Sequence, residues 1–282
     1  MTAPAPKLDL PVVHVVGRNL PEAWERAVLE TWEHGVPIPT QYDAPGDPPS
    51  RDALAVIVVT EPFAEPRIHR ALPGGIVELE AYRQEVVEGI HDHWIDPAAG
   101  KWEYTYHDRL THYSVPNGVA VNQLEQVLEA LVQATHTRRA QAIIWKPWED
   151  AGIVDPPCLQ RMWFRVFDGR LVLNIHMRSN DAFKAAFMNM YAFTDLQRTM
   201  AEELSRRLNT TIVPGQYTHI ADSFHIYGSY FGEFESFLQL VQTRPFERRT
   251  FRTEDVADMI EEARQNIRRS LDAERVQGRK GL

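Results

Sequence analysis

Asp155-Pro156-Pro157-Cys158-Leu159-Gln160 opens a stretch that runs to Tyr191, and the reading of that stretch organises the 282-residue chain. It holds the only cysteine. Two β-prone runs follow, Leu159 to Phe167 and Leu171 to Met177. They are joined by Asp168-Gly169, whose tolerance of positive φ predicts a tight two-residue hairpin turn. Pairing Phe167 with Arg170 sets the register. Followed back without a bulge, that register places Cys158 opposite Ser179 and beside Arg178; a one-residue bulge would decide which of the two shares its face. A guanidinium near a thiol favours the thiolate, whereas a free cysteine with a pKa of about 8.5 is mostly protonated at neutral pH. The bland alternative is a small buried hydrophobe. The Pro-Pro-Cys lead-in and the arginine across the hairpin favour a nucleophile. With Arg178, Ser179 and Asn189 close by in sequence, its partner is expected to be anionic and ring-bearing, and the protein an enzyme.

Composition narrows the classes. With 44% apolar residues the chain can bury a sizeable core, and we expect one domain over residues 1–282, its last helix and basic tail occupying about 253–282. A net charge of −9 argues against general nucleic-acid binding while leaving room for a local basic pocket. One cysteine excludes an internal disulfide framework and fits a reducing cytoplasm, the expected location. No run reaches the ~18 apolar residues of a membrane span, and Met1 to Pro11 lacks the regions of a signal peptide, so no membrane partner is expected.

Working outward toward the N-terminus, Thr137-Arg138-Arg139-Ala140-Gln141 leads into a strand at Ala142 to Trp145, and paired arginines at the mouth of a strand can bind phosphate. Gln123 to Thr135 is an amphipathic helix with Leu124, Val127, Leu128, Leu131 and Val132 inward. Trp102 to Arg109 contains Tyr106 and reads as a half-buried aromatic strand or as part of a proton network. Ile90-His91-Asp92-His93-Trp94 offers imidazole and carboxylate, the ligands of zinc, but adjacent side chains rarely turn to one ion and no matched cluster follows, so no metal is expected. Glu78 to Glu88 is a helix with Leu79, Tyr82, Val86 and Val87 on its apolar side. Ala53 to Thr60 is a buried strand, preceded by a Pro- and Gly-rich loop that ends at Arg51. A helix with proline in its first turn and Trp24, Val28, Leu29 and Trp32 in its stripe ends near Gly35. Toward the C-terminus, Tyr191 to Leu208 continues as a helix with Asn189 at its start, where an amide can read a ring edge or merely cap. Thr253 begins a last helix carrying Val256, Met259, Ile260, Ala263 and Ile267.

Pro-Pro-Cys158, the Asp-Gly hairpin, Arg178-Ser179-x-Asp181, Asn189 and Asp222-Ser223-Phe224-His225-Ile226-Tyr227, in that order and spacing, resemble the core of thymidylate synthases and the related pyrimidine nucleotide hydroxymethylases. The likeness is good from about Arg138 to Tyr227 and weak before Glu78 and after about Phe231. It implies an α/β (α+β) thymidylate synthase-like fold, a mixed β-sheet covered by helices. It also implies a homodimer in which Arg138 and Arg139 reach the partner's nucleotide, a pyrimidine nucleoside monophosphate as substrate, and 5,10-methylenetetrahydrofolate as co-substrate. Cys158 would attack ring carbon 6, Arg178 and Ser179 would hold phosphate, and Arg51 could add to them. Asn189 would read the base, His225 and Tyr227 would bind the sugar, and Lys146 could alter sugar or base contacts. Asp181, His91 and Trp94 would meet the folate. Glu85, with Glu80 and Glu88 as rivals, would shuttle protons in a network with Tyr106. His91 stands where a shielding tryptophan is expected and no closing C-terminal segment is recognisable, which favours a hydroxymethylated cytidylate (CMP or dCMP) over methylation of dUMP. Asn189 taken alone favours uracil. A nucleotide-binding protein without catalysis and a metal-dependent hydrolase built on His91 and His93 are the alternatives from other classes.

Overall fold

The computed structural model describes residues 9–277, with side chains to 274, so the basic tail beyond Gln277 lies outside the described residues. In chain order the strands are β1 (Val12–Gly17), β2 (Val36–Ile38), β3 (Ser50–Val59), β4 (Ile68–His69), β5 (Gln141–Ile143), β6 (Leu159–Phe167), β7 (Arg170–Met177), β8 (Asn180–Asp181), β9 (Val213–Ile226) and β10 (Thr250–Phe251). The α-helices are α1 (Leu20–His34), α2 (Gly75–Glu88), α3 (Tyr106–Thr111), α4 (Gln123–Gln133), α5 (Ala186–Leu208), α6 (Phe231–Thr243) and α7 (Ala257–Gln277). The main sheet runs β1-β3-β9-β7-β6-β5, with β2 beside β3 and β8 beside β9. It is mixed, as expected: β1 and β3 are parallel, β7 and β9 are parallel, and the β3–β9, β6–β7 and β5–β6 pairs are antiparallel. No described helix is long and apolar enough to cross a membrane.

Helices α1, α4 and α5 pack on the sheet. Ala53, Ala55, Ile57 and Val59 of β3 alternate into this core, as period-two patterning requires of a strand with one covered face. The intervening Leu54, Val56 and Val58, with Ile220 of β9, stay half-buried on the opposite face, and Val12 and Val16 of β1 are exposed. Helix α1 begins where the side chain of Asn19 accepts from the Glu22 amide at 3.1 Å, with Pro21 in its first turn. Its Trp24 is fully buried and donates from Nε1 to the carbonyl of Ala182 at 2.9 Å, tying α1 to the segment that leads into α5.

Several boundaries differ from expectation for local physical reasons. β3 begins at Ser50, so Arg51 lies inside a strand rather than at a loop end, because β2 pairs with it. Trp102 to Arg109 does not form a strand: Thr105 accepts from the Asp108 amide at 3.0 Å and starts α3. Asn189 is not a cap, since α5 starts at Ala186. Val132 and Met259 sit on the outer sides of their helices, 38% and 51% exposed.

Candidate active site

The hairpin turn forms as the sequence demands, with Asp168 at φ 47° and Gly169 at φ 69° and Phe167 opposite Arg170. The ladder then slips by one residue between Leu159 and Arg161, leaving Gln160 as the extra residue. Leu159 therefore faces Met177, and the Arg178 amide donates to the carbonyl of Cys158 at 2.9 Å. The bulge puts Cys158 opposite Arg178, not opposite Ser179 as the unbulged register would have it. The Arg178 guanidinium donates to the carbonyls of Pro157 at 3.1 Å and Pro156 at 2.5 Å, so the two prolines serve as its cradle.

Cys158 is half-buried at the junction of two cavities. The outer one, about 640 Å³, is lined by Arg178, Ser179, His225 and Tyr227 together with Asp52 and Tyr42. The inner one, about 300 Å³, shares Cys158, Ser179, His225 and Tyr227 and adds Asn189, Asp181, Tyr82 and Tyr106. Burial pushes the thiol up, and the Arg178 charge only partly offsets this. The expectation that Arg178 would leave a resting thiolate is thus corrected: burial outweighs the charge and favours the thiol.

Asn189 is buried in the first turn of α5, and its Oδ1 accepts from the Tyr82 hydroxyl at 2.5 Å. The Asp181 carboxylate accepts from the amides of Phe183 at 3.0 Å and Lys184 at 2.8 Å, and burial pushes its carboxyl up. On the wall of the outer cavity, Ser223 donates to Asp52 Oδ2 at 2.8 Å. Its hydroxyl proton is thereby used, so at 3.1 Å it accepts from His225 Nδ1, which leaves Nε2 of His225 as the ring nitrogen not engaged by Ser223. Burial pushes the Asp52 carboxyl up, and its Oδ1 has no hydrogen-bond partner among the described residues.

A third cavity, about 610 Å³, adjoins through Tyr82 and Tyr106 and is lined by Glu85, Trp102 and Tyr104. Of the three candidate glutamates, Glu85 faces this third cavity, whereas Glu80 is buried in ion pairs with Arg83 at 2.8 Å and Arg264 at 2.9 Å, and Glu88 pairs with Arg83 at 2.7 Å beside a separate arginine-lined cavity. Glu85 meets His91 Nδ1 at 2.8 Å, and the His91 ring stacks on Trp94 with centroids 3.8 Å apart. His91, Asp92 and His93 turn to different partners: Glu85, then Thr105 and His107, then Glu274. Glu274 of α7 also accepts from Trp94 Nε1 at 2.9 Å, so the last helix fastens this segment from outside. The Tyr106 hydroxyl accepts from the Leu159 amide at 3.2 Å, one residue from the thiol.

Two expected nucleotide contacts lie elsewhere. The Arg51 guanidinium stacks 4.9 Å from the Trp32 ring, and Lys146, buried, donates to Ser114 Oγ at 2.5 Å and pairs with Glu149 at 3.2 Å. In each case a nearer aromatic or polar partner captures the cation. Arg138 and Arg139 are exposed, with no side-chain ion pair among the described residues. Sequence reading missed Tyr82, Tyr104, Asp52 and Ser223. Tyr82 was within reach, because it precedes Glu85 by three residues and so shares its helix face. Asp52 was not: only the pairing of β3 with β9 sets it opposite His225.

The family model for thymidylate synthase matches residues 78–272. The chain belongs to the thymidylate synthase family. Relatives named "Putative thymidylate synthase" agree with this: that of Methanosarcina acetivorans is 28% identical over 210 residues, 74% of this chain and 87% of the relative. That of Methanococcoides burtonii is 27% identical over 228 residues, 81% of this chain and 95% of the relative. The solved thermostable thymidylate synthase A of Bacillus subtilis superposes with a TM-score of 0.58 at 16% identity, covering 77% of this chain and 83% of that one, which shows the shared fold. As a thymidylate synthase-family member the protein is a one-carbon transferase, of a family that uses methylenetetrahydrofolate and a pyrimidine nucleoside monophosphate. Cys158, Arg178, Asn189 and Glu85 all fall within the matched region; Asp52 lies before it.

Proposed function

We propose that the protein transfers a one-carbon unit from 5,10-methylenetetrahydrofolate to carbon 5 of a pyrimidine nucleoside 5′-monophosphate through a covalent adduct of Cys158, and that the product is a 5-hydroxymethylated cytidylate (CMP or dCMP). The observation that carries the reading is the thiol itself, at the junction of a cavity walled by Arg178 and Ser179 and one floored by Asn189. Phosphate held by Arg178 and Ser179, and sugar held by His225 and Tyr227, would fix the ring by remote binding energy. The Cys158 sulfur adds to carbon 6, and carbon 5 then attacks the one-carbon unit, a covalent route that divides one difficult step into easier ones. Asp181 would meet the pterin, and Glu85 would move the protons. Once the folate departs, an exocyclic methylene remains. Water adding to it gives a hydroxymethyl group, and expulsion of the Cys158 sulfur from carbon 6 completes the turnover.

The choice of water over hydride is supported by His91. An imidazole stacked on Trp94 and joined to Glu85 sets a polar ring behind the carboxylate that borders the third cavity, a more water-tolerant arrangement than an indole would give. The test is the mass of the product formed from CMP, dCMP and dUMP in the presence of methylenetetrahydrofolate, with the folate followed in the same tube. Gain of one formaldehyde equivalent on a cytidylate, with tetrahydrofolate released, is expected. A methyl product from dUMP with stoichiometric dihydrofolate would establish the second reading, thymidylate synthesis, which the presence of asparagine rather than aspartate at position 189 favours by resemblance.

The active unit we propose is a homodimer. Leu54, Val56, Val58 and Ile220 on the sheet face away from α1 and α5, next to exposed Val12 and Val16, suit a self-complementary interface. Arg138 and Arg139 point into solvent as groups meant for a partner's phosphate would. Cys158→Ala and the double variant Arg138→Ala/Arg139→Ala are each expected to be inactive, yet an equimolar mixture after subunit exchange should recover about a quarter of wild-type activity, since half the dimers then carry one complete site. A mixture that stays as inactive as its components would sink the shared-site proposal.

A further inference from the structure

We propose that Tyr82 sets the base preference, by fixing the amide of Asn189 in the sense that a cytosine edge requires. This deepens the functional reading above and rests on it. Asn189 is 6% exposed, and the hydroxyl of half-buried Tyr82 spends its proton on Asn189 Oδ1 at 2.5 Å. The Asn189 Nδ2 is then turned the other way, 3.9 Å from the Met177 sulfur, a weak acceptor that leaves the amide protons available.

The order of polar groups along the inner cavity follows. Tyr82 and Glu85 stand one helical turn apart on α2 and both border the third cavity, so Tyr82 marks the side where carbon 5 undergoes its chemistry. Met177, at the end of β7, marks the other side. From the first side to the second the wall offers the phenol oxygen with its free lone pair, the amide oxygen, then the amide NH2: acceptor first, donor second. A pyrimidine placed with carbon 5 toward Glu85 presents its carbon-4 substituent to Tyr82 and its ring nitrogen 3 toward Nδ2. Cytosine there reads donor (the exocyclic amine) then acceptor (nitrogen 3), which matches. Uracil reads acceptor then donor, setting a carbonyl against lone pairs and an N–H against an NH2. Turning the amide over would restore uracil but would take from the Tyr82 proton its acceptor, so amide and hydroxyl would have to reorganise together. An asparagine that alone could serve either base is thereby committed to one.

The test is calorimetric titration, without folate, of matched pairs (dCMP against dUMP, CMP against UMP) into the wild type, Tyr82→Phe, Asn189→Asp and the double variant. Tyr82→Phe keeps the ring and removes only the hydroxyl. It is expected to narrow the cytosine-to-uracil affinity ratio about tenfold, chiefly by weakening the cytidylate, the worth of one buried hydrogen bond. In the Asn189→Asp background the same change should move the ratio much less, because a carboxylate has no amide to orient. A ratio that Tyr82→Phe leaves unchanged, including one where both affinities fall together, overturns the assignment, as does a wild-type preference for uracil. If the wild type bound no pyrimidine nucleotide, the proposed function itself would fall; if it bound them with a ratio indifferent to Tyr82, only this inference would.

Discussion

Cys158→Ala is expected to form no product above about one ten-thousandth of the wild-type rate while still binding nucleotide within a few-fold of wild type. Removing a covalent nucleophile typically costs four or more orders of magnitude, whereas the phosphate, sugar and base contacts belong to other residues. Calorimetric binding, an unchanged thermal midpoint and product mass in parallel separate the possibilities. Retained activity would return the protein to the class of nucleotide binders that gain nothing from the thiol. The same sulfur supplies a pH test, since it is the chain's only cysteine. Burial holds the thiol above its ordinary value despite Arg178, so alkylation of the free protein should remain slow at neutral pH and accelerate only above the usual thiol range.

Glu25→Ala should cost about 3–5 kcal/mol of stability, the usual consequence of removing one partner from a buried ion pair. Glu25 on α1 receives Arg249 through Nε at 2.7 Å and Nη2 at 2.6 Å, and it meets His69 Nε2 at 3.0 Å, all deeply buried. His69 Nδ1 accepts from the Ala71 amide at 3.1 Å, so Nε2 carries the proton donated to Glu25. Alanine would strand the Arg249 guanidinium, and α1 would lose its hold on the C-terminal third. Because Trp24 of the same helix bonds to Ala182 ahead of α5, the loss should reach Asn189 as a raised KM for nucleotide. Burial pushes the Glu25 carboxyl up, but the bonds from His69 and Arg249 prevail and hold it below its ordinary value. A depressed carboxyl stabilises the fold above its unfolded pKa of about 4.3 and loses that contribution as pH falls through the lower folded value. The difference in urea midpoint between wild type and Glu25→Gln should therefore be full at neutral pH and shrink below about pH 4. A constant difference would show that the carboxylate charge is not what stabilises.

What the sequence determined by itself is what adjacent residues can settle. Asp168-Gly169 supports a two-residue turn because both positions tolerate positive φ, and the pairing of Phe167 with Arg170 followed. Asn19 and Pro21 start α1 and alternation places β3, because caps and periodicities need no knowledge of distant partners. The order of Cys158, Arg178, Asn189 and His225 likewise pointed to the family that residues 78–272 match.

Tertiary structure decided the rest, through contacts whose partners are remote in the chain or whose sign depends on burial. The extra residue at Gln160 chose Arg178 over Ser179 as the neighbour of Cys158, and sheet packing, invisible locally, fixed that bulge. Desolvation, a property of the folded surroundings, outweighed the expected effect of the guanidinium on the thiol. Arg51 and Lys146 are long flexible cations that took the nearest compatible partners, Trp32 and the Ser114–Glu149 pair, which no spacing rule could foresee. Tyr82 met Asn189, and Asp52 met Ser223 beside His225, only because α2 packs on α5 and β3 pairs with β9. Local sequence supplied the reactive groups; the packing of helices on a mixed sheet set which atom of each faces the cavity.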